Sequence, residues 1–184
     1  MRVKTSIMCY FCTVFFFFSC VKDIDFNQAD DLELTPAYVA SLIFTELDQT
    51  SFVTPVGTEI TRITDITNIE IFEGSMINEL EKLILDFEIT NSFNRKFTLD
   101  FRFLDNNNSE TYRIPRILIN ESVNKFQVKE EIVLATNQNI LNSKKIEITL
   151  ELLPSSDGSI IDINEKKTLI FKSAGTFYFR INNI

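Results

Sequence analysis

Phe97-Thr98-Leu99-Asp100-Phe101-Arg102-Phe103 alternates apolar and polar side chains at every step. Successive side chains of an extended strand point to opposite faces. Period two therefore puts Phe97, Leu99, Phe101 and Phe103 on one face and Thr98, Asp100 and Arg102 on the other. One face is built for a core and the other for solvent, as in a half-buried antiparallel strand.

The same pattern recurs on both sides of this stretch. Leu83, Leu85, Phe87 and Ile89 alternate with Ile84, Asp86 and Glu88. Ile146, Ile148, Leu150 and Leu152 alternate with Glu147, Thr149 and Glu151, and Phe177, Phe179 and Ile181 with Tyr178 and Arg180. Further strands are expected at Tyr38 to Leu47, within Ile60 to Phe72, at Tyr112 to Ile119, at Phe126 to Leu134 and at Thr168 to Lys172. Pro115 donates no hydrogen bond, which marks its strand as an edge or a bulge. Polar turns at Asn91 to Arg95 and Asp105 to Ser109 read as hairpins, and Pro154 to Gly158 as a loop. Helical spacing occurs at Met76, Ile77, Leu80, Leu83 and Ile84, and Thr136 to Asn142 has room for a turn or two. Seven to nine strands with little helix predict an all-β, antiparallel β-sandwich with a Phe- and Ile-rich core.

The first 20 residues follow another logic. Arg2 and Lys4 precede the uncharged run Ile7 to Phe18. As a helix that run would span about 18 Å, short of a hydrocarbon core of about 30 Å. A positive start and a short apolar run make a helical signal segment rather than a membrane span. The three cysteines are Cys9, Cys12 and Cys20, so removal of residues 1–19 leaves Cys20 alone, with no internal disulfide to form. Residues 1–19 are therefore expected to be a signal peptide, 20–34 an acidic tether and 35–184 a single β domain.

Phe17-Phe18-Ser19-Cys20 resembles the lipobox of bacterial lipoproteins. That resemblance implies cleavage between Ser19 and Cys20, a lipid on Cys20 and anchoring to a membrane through it. Two or more acyl chains hold durably without a basic patch, at about 0.8 kcal/mol per buried CH₂. Lys22, Asp23 and Asp25, with Asp30 and Asp31, resemble the surface-export signals of Bacteroidetes lipoproteins. The segment Phe87-Glu88-Ile89-Thr90-Asn91, followed by Phe97 to Phe103, resembles immunoglobulin-like domains of bacterial envelope proteins. The whole order resembles uncharacterised lipoproteins of Bacteroidetes and implies an outer-membrane, envelope location with an undecided membrane face.

Charge and composition narrow the function. The chain has 18 basic and 26 acidic residues and a formal net charge of −8. Loss of Arg2 and Lys4 makes that −10. Nucleic-acid affinity depends on basic groups displacing counterions, so no nucleic-acid partner is expected. The sequence contains no histidine, the commonest general base and metal ligand. It has no nucleophile elbow, phosphate loop or zinc-protease motif. Asp86/Glu88 and Glu147/Glu151 are carboxylate pairs on polar strand faces, where solvation is the plainer reading than hydrolysis. Asp105 to Glu110 offers oxygen ligands, but its residues are those of a turn. The same holds for Asp157-Gly158-Ser159 with Asp162.

No catalytic residue, cofactor or metal is expected. The sequence points to a lipid-anchored, non-catalytic interaction or accessory module with an envelope protein partner. Two alternatives stand beside it: a carrier for an apolar ligand held between the sheets, and an envelope hydrolase working without histidine.

Overall fold

The computed structural model describes residues 33–182. The signal peptide, the cleavage site at Ser19 and Cys20, the lipidation at Cys20 and the export residues Lys22, Asp23 and Asp25 lie outside the described residues. Leu34–Ile181 form one compact unit.

Nine strands build it: β1 (Ala37–Asp48), β2 (Arg62–Asn68), β3 (Leu80–Asn91), β4 (Phe97–Leu104), β5 (Glu110–Arg113), β6 (Ile117–Ile119), β7 (Val123–Val133), β8 (Lys145–Leu152) and β9 (Thr168–Phe179). One sheet has the order β1-β9-β3-β7. The other has the order β2-β8-β4, with β5 and β6 sharing the far edge of β4. Every pairing among these strands is antiparallel. The expected all-β, antiparallel sandwich is what the chain forms.

Its strand order is finer than the expectation. Counting β5 and β6 as one interrupted strand, the two sheets take strands alternately in pairs across the core. The first strand lies beside the last. That is the order of a jelly roll, two Greek keys folded over one another. An immunoglobulin domain divides its strands differently. The immunoglobulin-like expectation therefore holds for the two-sheet antiparallel architecture and is corrected in strand order.

Period two decides the core. Leu83, Leu85, Phe87 and Ile89 of β3 face Phe97, Leu99, Phe101 and Phe103 of β4, and all eight are buried. Rings meet across the sheets: Phe87 lies 5.2 Å from Phe101 edge-on and 5.8 Å from Phe171 in a stack. Offset and edge-to-face pairs at such distances add about 0.5–1.5 kcal/mol beyond the area they bury. The open ends of the sandwich are closed by phenylalanines from loops. Phe52 and Phe93 meet Phe97 at 5.1 and 5.6 Å, while Phe72 meets Phe103 at 6.0 Å at the other end.

Three local expectations change. Asn91 to Arg95 is no hairpin, because it carries the chain from one sheet to the other. Buried Asn91 shapes the crossing: its Nδ2 donates to the carbonyls of Arg95 and Asn120, and its Oδ1 accepts from Phe93 N. Thr168 to Lys172 and the Phe177 segment are one continuous strand. Gly175 permits this, since a Cβ there would sit 3.0 Å from the Phe177 ring and 3.3 Å from Leu83. The helical spacing near Met76 yields only a 3-10 turn, Ser75–Glu79, before strand pairing takes over at Leu80. Ile60 to Phe72, expected to give one or two strands, holds one. The Asp105 to Ser109 hairpin is present, closed by Asn108 N donating to Asp105 O. The edge at Pro115 is present too, separating β5 from β6.

Candidate functional site

Strand directions gather the two longest loops at one end. Thr168 pairs with Asp48, Leu169 with Asn91, Asn91 with Val123, and Phe97 with both Leu152 and Ile119. Loops 49–61, 92–96, 120–122 and 153–167 therefore share that end. The chain enters β1 at the opposite one, where Phe179 N donates to Pro36 O.

The first long loop contains a small hairpin. Gly57 N donates to Thr54 O, and Gly57 takes φ +81°. This is a type I turn over Pro55 and Val56 followed by a left-handed residue, for which glycine has no steric cost. Ile60 N donates to Phe52 O, so the hairpin base is tied while Phe52 and Val53 are buried beneath it. The tip residue Val56 is 87% exposed.

The second long loop is held against the first by a buried ion pair. Arg95 Nη1 lies 2.6 Å from Glu59 Oε1, with side-chain exposures of 7% and 17%. The guanidinium also donates to Leu153 O at 2.7 Å and Ser159 O at 3.1 Å. Glu59 Oε1 accepts from Ile161 N at 2.9 Å. Arginine's fixed fork suits this role, reaching a carboxylate and two carbonyls at once. Nearby, Ser92 Oγ accepts from Thr168 N, and Gln49 Oε1 accepts from Lys167 N. The loop end is thus a stiff platform with Val56, Ile160 (60% exposed) and Ile163 (39%) on its surface. A shallow recess of about 220 Å³ lies beside Asn94, Arg95, Ser159 and Asp162.

The residues singled out in the sequence fall elsewhere. Asp86 pairs with Lys129 at 3.0 Å, and Glu88 with Lys172 and Lys125 at 3.3 and 3.6 Å. The hydrogen bond from Lys172 holds the Glu88 carboxyl below its ordinary range, with the nearby ammonium charges of Lys125 and Lys172 adding to it. A general acid would need the opposite shift. Glu147 pairs with Arg102, and Glu151 with Arg62 and Arg116. Asp100 and Thr98, expected on a solvated face, are buried. Arg116 and Arg113 reach over from beside the break at Pro115 to Asp100, at 2.8 and 3.5 Å. These carboxylates are engaged by cations, so they belong to mixed-charge faces on the two sheets rather than to an acid/base pair.

The Asp105 loop is organised as a turn. Asp105 Oδ1 accepts from Asn107 N and Ser109 N. The ammonium of Lys145 meets Asn108 Oδ1 at 2.7 Å and Asn106 O at 3.3 Å, supplying a positive charge where a cation would have to sit. Asp157 likewise accepts from Ser159, and its carboxyl is held below its ordinary range by the Ser159 hydroxyl. Glu130 breaks the alternation of β7 by facing inward, where Tyr112 Oη donates to it at 3.1 Å. Burial first, and then this acceptor, push the Tyr112 hydroxyl up to about 12.

The space between the sheets is filled. The cavity bounded by Leu47, Ile63, Leu99, Ile148, Leu150 and Phe171 is about 60 Å³. Ligand pockets measure roughly 300–1,000 Å³, so among the described residues this inter-sheet cavity is too small for the ligand of the carrier expectation. A groove of about 600 Å³ lies outside the sandwich, at the end where the chain enters, along Leu80, Leu134, Leu141 and Tyr178. It is open to solvent, with the Lys82 ammonium 4.7 Å from the Tyr178 ring. Among the described residues, no helix is long and apolar enough to cross a membrane.

No family model and no curated protein matches the chain. Among solved structures, it is similar to a protein of Parabacteroides distasonis provisionally named as secreted. That match has 14% identity and a TM-score of 0.50, over 63% of this chain and 37% of that one. It is also similar to a VP2 subviral particle of infectious bursal disease virus (9% identity, TM-score 0.44, over 81% of this chain and 33% of that one). T=1 particles derived from that virus give 12% identity and a TM-score of 0.42, over 80% and 40%. The chain spans less than half the length of each of these proteins. The likeness to the Parabacteroides protein is one of fold alone.

Proposed function

We propose that the chain is a lipid-anchored, non-catalytic interaction module of a bacterial cell envelope, which makes its contacts through the loop end. The observation that carries this reading is the Arg95–Glu59 lock. It fixes two long loops to a rigid sandwich and leaves Val56 and Ile160 uncovered on them. Binding sites concentrate on loops that a rigid scaffold positions. Large side chains on a pre-ordered surface lose little conformational entropy when a partner covers them.

The signal pattern before Cys20 and the absence of any other cysteine after it support anchoring at that residue. The chain enters β1 at the end opposite the long loops, so a tether on Cys20 attaches away from the proposed contact surface. An outer-membrane location and a surface role for Lys22, Asp23 and Asp25 belong to the same reading. The absence of histidine and the cation-engaged carboxylates favour binding over hydrolysis.

The test is co-purification from mildly solubilised native membranes. A partner protein is expected with the wild type and with Gln127→Asp on the far edge. It should be reduced at least about tenfold by Val56→Asp with Ile160→Asp, because a charge forced into an apolar contact must be desolvated. Recovery of no partner, or of one indifferent to the loop substitutions, contradicts the proposal.

A further inference from the structure

A sheet ends in unpaired backbone groups, and proteins blunt such edges with charge, proline, bulges or brevity. Three of the four edges here are blunted in those ways. β7 carries Lys125, Lys129, Glu130 and Glu131, with Lys125 at φ +59°. The edge of β5 and β6 is broken at Pro115 and flanked by Arg113 and Arg116. β2 is short, with Arg62 and Asp65 within it.

The fourth edge is β1. It runs for 12 residues and, among the described residues, pairs only with β9. From Ala37 to Thr45 it has no charged side chain, and its acidic residues, Glu46 and Asp48, lie at one end. Tyr38, Val39 and Phe44 are 56%, 72% and 62% exposed. The single feature that blunts it is the register shift opposite Ser173 and Ala174.

We propose that β1 is a homodimer interface, pairing antiparallel with β1 of a second copy and joining two four-stranded sheets into one. The occupant follows from charge. A chain at −8 repels its own copy over most of its surface. The stretch from Ala37 to Thr45 is long and free of charge. A two-fold axis through its middle carries Glu46 and Asp48 of each copy to opposite ends of the joint, so these acidic residues of the two copies do not meet one another. An isologous contact needs this self-complementarity. The size is that of a small interface. Large side chains carry roughly 150–250 Å², so Tyr38, Val39 and Phe44 contribute on the order of 600 Å² over two copies. The paired backbone adds to this, toward the roughly 1,200 Å² of a stable interface. This inference is independent of the loop-end reading, since β1 and the loops occupy different surfaces.

Sedimentation equilibrium of the full chain in a density-matched mild detergent tests it, over about 1–100 μM. The wild type is expected to dimerise in that range. Val39→Lys and Phe44→Lys each should raise the dissociation constant at least about tenfold, since both copies then bring a charge to the joint. Both residues are exposed, so the far-ultraviolet spectrum should not change. Gln127→Lys, on the opposite edge, should leave the dimer intact. A wild type that stays monomeric at 100 μM overturns the proposal, whether or not β1 accepts a strand from another protein. A dimer indifferent to both lysine substitutions overturns it equally.

Discussion

Phe101→Ala is expected to lower the unfolding free energy by about 3–5 kcal/mol, the usual cost of deleting a buried phenylalanine ring. Phe101 is buried at the centre of β4, where its ring meets Phe87 at 5.2 Å, Phe103 at 5.5 Å and Phe171 at 6.4 Å. The partners sit on strands with neighbours on both sides, β3 and β9 in one sheet and β4 in the other. They have little freedom to move into the space left behind, so both the lost transfer energy and the cavity weigh on the folded state. Urea titration should show a lower midpoint with an unchanged slope, the mark of altered stability rather than altered compactness. Phe44→Ala on the exposed edge should stay within about 0.5 kcal/mol under monomeric conditions. Equal effects at the two positions would contradict the assignment of the core.

Arg95→Met should cost about 3–5 kcal/mol, because removing one partner of a buried ion pair strands the other. Glu59 would keep the amide of Ile161 but lose its counter-ion, while the carbonyls of Leu153 and Ser159 would lose their donor. Arg95→Met with Glu59→Leu should cost less than Arg95→Met alone, since no unpaired charge then stays buried. The single substitution should also act locally. Hydrogen exchange at 54–60 and 153–161 should accelerate more than in β3 or β4, as expected of a segment that opens before the core does. Uniform acceleration across the sandwich would mean that the pair supports the whole fold and not the loop platform.

The fold was legible where alternation is strong. β3, β4 and β8 could be placed from period two because each turns an apolar face to the core. Strand order was not legible. The same alternation fits several sandwich topologies, and Asn91 to Arg95 looks like any polar turn until its partners are known. The end plugs Phe52, Phe72 and Phe93 also escaped pattern reasoning, since they sit in loops outside any periodic run. Thr98 and Asp100 gave a polar signal that correctly marks the outer face. The burial of Asp100 comes with Arg113 and Arg116, which only the broken edge brings over it.

The candidate site was the least legible part. Glu59 and Arg95 lie 36 positions apart in loops, with no spacing that marks them as partners. A lone arginine after an asparagine-rich turn reads as a solvated surface group. The β1 edge was no more legible: its nine uncharged residues from Ala37 to Thr45 are matched by uncharged runs at 49–58 and 132–143, so only the sheet order marks it as an edge.

The central claim, anchoring through Cys20, is tested most directly by the intact mass of the protein extracted from native membranes, beside a Cys20→Ala variant. The account predicts a wild-type mass lacking residues 1–19 and carrying acyl chains, with that added mass absent from the variant. An unacylated wild type beginning at another residue would contradict it, and would leave the sandwich without the tether on which the proposed function depends.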